Sequence, residues 1–290
     1  MSTTRFDRGA TRIDYFADLE RMVSMALSED LGSGDLTALL VPADLIAEAR
    51  ILVREDCVLC GTAWFDAVYR AVDPGVELHW TADDGAHLTA GQIICRIEGR
   101  ARALVSGERA ALNFLQTLSG TATLTARYVA ELAGTNTRLL DTRKTIPGLR
   151  RAQKYAVRCG GGFNHRAGLY DGVLIKENHI SAAGGVGAAI RSLRQAGVKV
   201  PIEVEVEHLP QIEDAISAGA DMLLLDNFQL TTMAEAVRLT AGRVPLEASG
   251  GFGLEDLRAV AATGVDFISS GALTKHVRAV DLSMRMDSAA

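Results

Sequence analysis

Apolar residues change rhythm twice along this chain. Over residues 16–29, Leu19, Met22, Val23, Met25, Ala26 and Leu27 recur at helical spacing and predict an amphipathic helix. A glycine-containing turn follows over 30–35. From 47 to 102 the runs shorten. Segments 49–54 and 58–61 read as strands, and 63–71 reads as a helix with Trp64, Ala67, Val68 and Ala71 inward. Segments 76–80 and 91–98 alternate with period two. The mixture predicts a small α+β domain on an antiparallel sheet. A long helix is expected over about 106–132, with Ser106 as its N-cap. Ala110, Ala111, Phe114, Leu115 and Leu118 form its stripe, and Gly120 is expected to break or kink it.

After Asn136 six strand-like runs recur, at 137–141, 172–176, 201–207, 221–226, 245–249 and 265–270, most of them separated by helical stretches. Helical runs 209–218 and 254–263 end at Gly219 and Gly264, the residue type expected just past a helix. Two phrases repeat: Ala-Gly-Ala-Asp before the apolar run to Asp226, and Thr-Gly-Val-Asp before the run to Ser270. Alternating strands and helices with short loops mean parallel β/α units. The expected class is α/β: a β/α-barrel-like domain over residues 137–279, and a smaller N-terminal α+β domain with an antiparallel sheet over 1–136 that includes the long helix. A C-terminal tail covers 280–290.

Charge sharpens this picture. The formal net charge is -6, yet residues 141–180 carry eight Lys/Arg against three acids. A compact basic cluster in an acidic protein predicts a site for a small anion and argues against a nucleic-acid footprint. Arg150, Arg151 and Arg158 sit at helical spacing with Lys154 and read as helix-surface charge, whereas Arg143, Lys144, Arg166 and Lys176 flank glycine turns or end apolar runs. Aromatic residues make up 5%, too few for base-stacking platforms. No apolar run is long enough to span a bilayer, and the first sixteen residues lack the apolar core of a secretory signal, so a cytoplasmic protein is expected. Cys57 and Cys60 form a lone C-x-x-C without a second pair at zinc spacing. With Cys95 and Cys159 they read as reduced, partly buried thiols. His79 and His87 read as solvated or satisfied.

In a β/α barrel the chemistry lies at the C-terminal strand ends. Those ends are Asp141, Arg143 and Lys144; Lys176; Glu205 and Glu207; Asp226; Ser249; and Ser270. In Ile202-Glu-Val-Glu-Val-Glu207 the three Glu share one face. Pointed into a barrel they need cations or a bound Mg²⁺; on an edge strand they are simply solvated. Near the C-terminus, Glu247-Ala-Ser-Gly-Gly-Phe-Gly253 and Ser269-Ser-Gly-Ala272 hold small residues that let backbone N–H groups approach a phosphate. Arg109, read from the residues alone, is a surface charge beside Glu108. Together the residues predict a small, phosphorylated, polyanionic substrate.

The motifs closely resemble the quinolinate phosphoribosyltransferase family. They are Glu108-Arg-Ala-Ala-Leu-Asn-Phe-Leu-Gln116, Asp141-Thr-Arg-Lys-Thr-Ile-Pro-Gly-Leu-Arg150, Lys154-Tyr-Ala-Val157 and Gly160-Gly-Gly-Phe-Asn-His-Arg166. Leu174-Ile-Lys-Glu-Asn-His-Ile180, Glu203-Val-Glu-Val-Glu207, Leu225-Asp-Asn-Phe228, Glu247-Ala-Ser-Gly-Gly251 and residues 267–276 continue the match in order. The resemblance implies that the ring nitrogen of quinolinate displaces pyrophosphate from phosphoribosyl pyrophosphate with Mg²⁺. Loss of CO₂ then gives nicotinate mononucleotide, a step of NAD biosynthesis. It implies that Arg143, Lys144, His165 and Arg166 hold quinolinate carboxylates, with Thr142 beside them. Arg109 would be supplied by the partner subunit of a homodimer with a shared site, which replaces the surface reading. Lys176 and Lys144 would meet phosphates. Glu205 and Asp226 would serve the metal, the ribose and its developing positive charge. Ser249, Gly250, Gly251, Ser270, Gly271 and Ala272 would hold the ribose phosphate. The implied catalytic set is Lys144, Lys176, Glu205 and Asp226.

Three other readings stand beside this one. A paralogue could bind another oxyanion, as the molybdate-operon relatives do. An aldolase-type barrel could use Lys176 as a Schiff base. A scaffold could bind ligand without chemistry, although a scaffold has no need for charged strand ends.

Overall fold

Period-two alternation builds one sheet of this protein, and short apolar runs that each end in a polar residue build the other. The computed structural model describes residues 13–286; the first twelve and last four residues, counted above to the N-terminal domain and the tail, lie outside the described residues. In chain order the elements are α1 (Leu19–Leu31), β1 (Ile46–Val53), β2 (Cys57–Val58), α2 (Thr62–Val72), β3 (Glu77–Trp80), β4 (His87–Leu88), β5 (Ile93–Arg100) and α3 (Ala101–Glu131). There follow β6 (Arg138–Leu140), α4 (Arg150–Cys159), β7 (Val173–Ile175), α5 (Glu177–Ala183), α6 (Val186–Gln195), β8 (Ile202–Val206), α7 (Pro210–Ser217) and β9 (Met222–Asp226). The last are α8 (Leu230–Thr240), β10 (Leu246–Ser249), α9 (Leu257–Ala261), β11 (Phe267–Ser269), α10 (Ala272–Lys275) and β12 (Leu282–Met286).

The chain divides into two compact units, whose described parts are residues 14–126, 146–161 and 273–286 in one and 13, 127–145 and 162–272 in the other. The first contains an antiparallel sheet in the order β12-β1-β5-β3. Ala49, Ile51 and Val53 alternate inward on β1 and pack with Trp64, Phe65, Val68 and Tyr69 of α2 and with Leu115 and Leu118 of α3. A fully buried aromatic side chain contributes roughly 1.5–3 kcal/mol through area removed from water, so α2 anchors this core. Phe65 and Tyr69 are the inward pair that the alternation did not single out, while Ala71 and Met25, expected inward, are exposed. His79 and His87 are exposed on β3 and β4.

Three expectations about this unit are corrected. The segment foreseen as a tail contains β12, paired antiparallel to β1 from Ala49↔Met286 to Val53↔Leu282. Leu282 and Val280 are buried, so apolar alternation continues almost to the end of the described chain. Helix α3 begins at Ala101, which leaves Ser106 inside it; the Ser106 hydroxyl donates to Asp35 Oδ2 at 2.7 Å instead of capping. Nor does Gly120 break α3, since the helix runs through it to Glu131. A Cβ at Gly120 would stand 2.2 Å from the Arg278 carbonyl oxygen, so the glycine admits a crossing backbone.

The other unit holds an all-parallel sheet in the order β6-β11-β10-β9-β8-β7. Sequence order thus runs around the sheet and returns, with β6 beside β11, as in a β/α barrel. Phe163 extends it past β6 through a parallel bridge to Leu140. The strands are short and apolar: Met222 to Leu225 and Ile202 to Val204 are buried on both faces, the pattern of covered parallel strands. Because β8 lies between β7 and β9, the edge-strand reading of its Glu residues is excluded. Gly219 and Gly264 stand past their helices with φ 91° and 93°, backbone that favours glycine. Among the described residues no helix is long and apolar enough to cross a membrane.

Candidate active site

Parallel strands point all their C-terminal ends one way, so the polar residue after each apolar run arrives at one mouth. Of the expected residues, β6 and the turn beyond it deliver Thr142, Arg143 and Lys144. The Phe163 segment delivers His165 and Arg166, β7 delivers Lys176, and β8 and β9 deliver Glu205 and Asp226. Ser249 to Gly251 and Ser270 to Ala272 follow β10 and β11. All belong to the unit that contains the parallel sheet. Arg109 is an exposed residue of α3.

Buried acids fix the basic residues. Asp141 is fully buried; its Oδ1 accepts the His165 N–H at 2.8 Å and its Oδ2 accepts Asn164 Nδ2 at 2.7 Å. Asp171 then receives the N–H groups of Ala167 and Gly168 at 2.8 and 2.9 Å. The stretch between these two carboxylates carries His165 and Arg166. Arg166 Nη1 donates to the Gly172 carbonyl at 3.0 Å. Burial, and next the Arg143 guanidinium beside it, push the Arg166 guanidinium below its ordinary value. Two neighbouring guanidiniums that repel each other form a receptor for a carboxylate-bearing anion.

Behind them lies an acid cluster that sequence reasoning reached only in part. His165 Nε2 is 2.8 Å from Glu203 Oε2 and 3.5 Å from Glu247 Oε2. Both carboxylates are buried, and Glu203 Oε1 and Glu247 Oε2 lack a hydrogen bond. Burial, then the charge of Glu203, push the Glu247 carboxyl up to about 8, against the pull of His165 and the Ser269 hydroxyl. Glu203 was expected on the inward face; Glu247, Asp141 and Asp171 were not assigned these supporting positions. Their signal in the sequence is an acid within or just beyond an apolar run, a place where burial without a partner is costly.

At the rim, Lys176 Nζ meets Glu205 Oε2 at 2.5 Å. Glu205 and Asp226 stand at the ends of neighbouring strands β8 and β9. Asp226 Oδ2 accepts Asn227 Nδ2 at 2.9 Å, and Asn227 takes the left-handed backbone with φ 56°. The Asn227 N–H donates to the Ser249 carbonyl at 3.0 Å. Gly250 and Gly251 line a cleft with Asn227, Phe228 and Phe252. Just past β11 the Ala272 N–H donates to Ser270 Oγ at 3.3 Å. A Cβ on Gly271 would come within 2.8 Å of the Lys144 chain, so the glycine is what lets Lys144 lie across that turn. Small residues thus leave two turns at the strand ends, one of them crossed by Lys144, an arrangement suited to a phosphate.

Comparison with known proteins agrees with this chemistry. The family model described as quinolinate phosphoribosyl transferase, C-terminal domain, matches residues 121–285, and the corresponding N-terminal domain model matches residues 35–119. A probable nicotinate-nucleotide pyrophosphorylase (carboxylating) of Bacillus subtilis is 43% identical over 267 residues, 92% of either chain. A quinolinate phosphoribosyltransferase (decarboxylating) of Nicotiana tabacum is 40% identical over 93% of this chain and 83% of its own. Among solved structures, the nicotinate-nucleotide pyrophosphorylase from Francisella tularensis superposes with TM-score 0.92 at 42% identity, covering 99% of this chain and 100% of that one.

Proposed function

This chain belongs to the quinolinate phosphoribosyltransferase family, and from that premise we propose how its barrel mouth works. The protein transfers the phosphoribosyl group of phosphoribosyl pyrophosphate to quinolinate and releases pyrophosphate and CO₂, leaving nicotinate mononucleotide for NAD biosynthesis. The observation that carries the residue assignment is the Arg143–Arg166 pair, whose mutual repulsion a dicarboxylate relieves.

In this reading Arg143, Lys144 and Arg166 receive the two carboxylates, and Arg109 arrives from the partner of a homodimer to complete the pocket. Thr142 Oγ1 accepts the Lys144 N–H at 3.0 Å and shapes that turn. Ser249, Gly250 and Gly251 with Ser270, Gly271 and Ala272 hold the ribose phosphate on backbone N–H groups. Lys144 and Lys176 face the pyrophosphate. As the bond from the anomeric carbon to pyrophosphate breaks, positive charge grows on the ribose, and Glu205 and Asp226 stabilise it. The ring nitrogen forms the new bond. The adjacent carboxylate then leaves as CO₂; its electron pair stays on the ring carbon beside the cationic nitrogen and takes up a proton from solvent, so no Schiff base is needed.

The donor set fits magnesium. Glu205 and Asp226 offer hard carboxylate oxygens, and among the described residues Asp226 accepts one side-chain hydrogen bond, from Asn227. These two residues would hold the ion, which supplies neutralising charge to the pyrophosphate. The reading places the enzyme in the cytoplasm, with its phosphorylated substrate.

Arg166→Lys keeps the charge and loses the guanidinium fork. It is expected to raise KM for quinolinate about tenfold to a hundredfold, roughly 1.4–2.8 kcal/mol, with KM for phosphoribosyl pyrophosphate unchanged. Arg109→Ala is expected to move the same parameter. An unchanged quinolinate KM in Arg166→Lys sinks the carboxylate assignment.

A further inference from the structure

The C-x-x-C spacing draws the eye to Cys57 and Cys60, but the sulfur of Cys60 has a more distant companion. Cys60, fully buried after β2, and Cys159, half-buried at the end of α4, bring their sulfurs within 4.8 Å of each other and of an Asp84 carboxylate oxygen. The surroundings hold them there. The Cys60 N–H donates to Ser119 Oγ at 3.0 Å, and the Ser119 hydroxyl donates back to the Cys60 carbonyl at 3.2 Å. Asp84 Oδ1 accepts the N–H groups of Gly61 and Thr62 at 3.0 and 3.2 Å, which fixes the start of α2. Tyr155, one turn before Cys159 on α4, packs its ring against Trp64 and Phe16, with centroids 5.8 and 5.2 Å away.

The two thiols are unequal. A hydrogen bond from Cys60 lowers the Cys159 thiol below its ordinary value, with help from the Tyr155 hydroxyl and the charge of Arg158, against burial and Asp84. Burial raises Cys60 well above the ordinary value. Cys159 is therefore the more acidic sulfur and, being only half-buried, the one that a small oxidant reaches first, with fully buried Cys60 behind it. Cys57 and Cys95 are pushed up to about 11 and about 12, first by burial, and serve as unreactive controls in the same chain. A metal ion on these groups would need fully buried Cys60 deprotonated, which burial opposes, so the site favours protonated sulfur over a cation.

We propose that Cys159 and Cys60 form a peroxide-reactive dithiol that closes to a disulfide, with Cys159 attacking and Cys60 resolving. The Cys159 thiolate attacks one oxygen of hydrogen peroxide. The O–O bond breaks, hydroxide leaves and takes up a proton, and Cys159 becomes a sulfenic acid. The Cys60 sulfur then attacks the sulfenic sulfur, its proton goes to the departing hydroxide, and water is released. Two thiols lose two electrons and two protons while one peroxide becomes two waters. Nothing in this modification depends on the barrel chemistry.

The full-length reduced protein is treated with stoichiometric hydrogen peroxide, quenched, alkylated under denaturing conditions and mapped by mass spectrometry. The expected result is loss of two hydrogens and one cross-linked peptide pair joining Cys60 to Cys159. Cys57 and Cys95 should be alkylated as in the untreated protein. In Cys60→Ser the reaction should stop at a Cys159 sulfenic acid that dimedone traps. A Cys57–Cys60 cross-link, oxidation spread evenly over the four cysteines, or stoichiometric zinc that blocks peroxide would each overturn the proposal. The wild-type map stands even if a variant folds poorly.

Discussion

His165 spends both ring nitrogens inside the protein. The Arg166 N–H donates to Nδ1 at 2.8 Å, so the ring proton sits on Nε2 and is shared with Glu203 at 2.8 Å. Family resemblance implies a carboxylate ligand at His165; the geometry supports a second role, that of setting where Arg166 begins. His165→Ala is then expected to raise quinolinate KM much as an Arg166 variant does, while Glu203→Gln, which still accepts from Nε2, stays near wild type. A large quinolinate defect in folded Glu203→Gln would favour direct contact by a released imidazole. The neighbouring Glu247 makes a stability prediction. Its native value, about 8, lies above the ordinary carboxylate value of 4.5, so the folded state holds a proton that the unfolded chain releases. Its contribution is complete below about pH 4.5 and is lost as pH rises through about 8. Glu247→Gln is expected to gain Tm relative to wild type as the pH climbs across that window. A difference in Tm that stays flat across it would show that Glu247 is ionised in the fold.

At the scale of elements, Gly120 shows how a backbone crossing is written. Gly120→Ala places a Cβ 2.2 Å from the Arg278 oxygen, so the C-terminal segment must shift. Overpacking of this kind costs roughly 1–3 kcal/mol, and the expectation is a lower urea midpoint with an unchanged slope. A midpoint equal to wild type would mean that the crossing is loose. The sequence showed a glycine in a helical run and suggested a break, because nothing local announces a partner 158 positions on. The same limit hid β12. A five-residue strand declares itself only by pairing, and its partner β1 stands near the other end of the chain. The six parallel strands were legible because each is an apolar run between a turn and a charge, and Gly219 and Gly264 marked the helix ends. Lys154 went the other way. It shares helical spacing with three arginines that read as surface, yet it is fully buried, since position on a helix does not say which face is covered. Site cations were legible as strand-end residues. The carboxylates beneath them were only partly so, because their contacts join separate strands: Asp141 to Asn164 and His165, and His165 to Glu203 and Glu247.

For the whole molecule, charge and architecture tell one story. A chain of formal net charge -6 gathers cations at the strand ends of its parallel sheet, with buried acids beneath them as counter-charge. Such a mouth suits a substrate with more than one negative group, which separates quinolinate from its mono-carboxylate analogue nicotinate. The central claim is that the second carboxylate is both a handle for binding and the group that leaves. The decisive measurement uses quinolinate labelled with ¹³C at the 2-carboxylate, with phosphoribosyl pyrophosphate and Mg²⁺, and nicotinate in a parallel reaction. Nicotinate mononucleotide should form from quinolinate alone, with the label recovered in CO₂ in equal amount. Equal turnover of nicotinate, or no product from quinolinate with folded protein, would contradict the account.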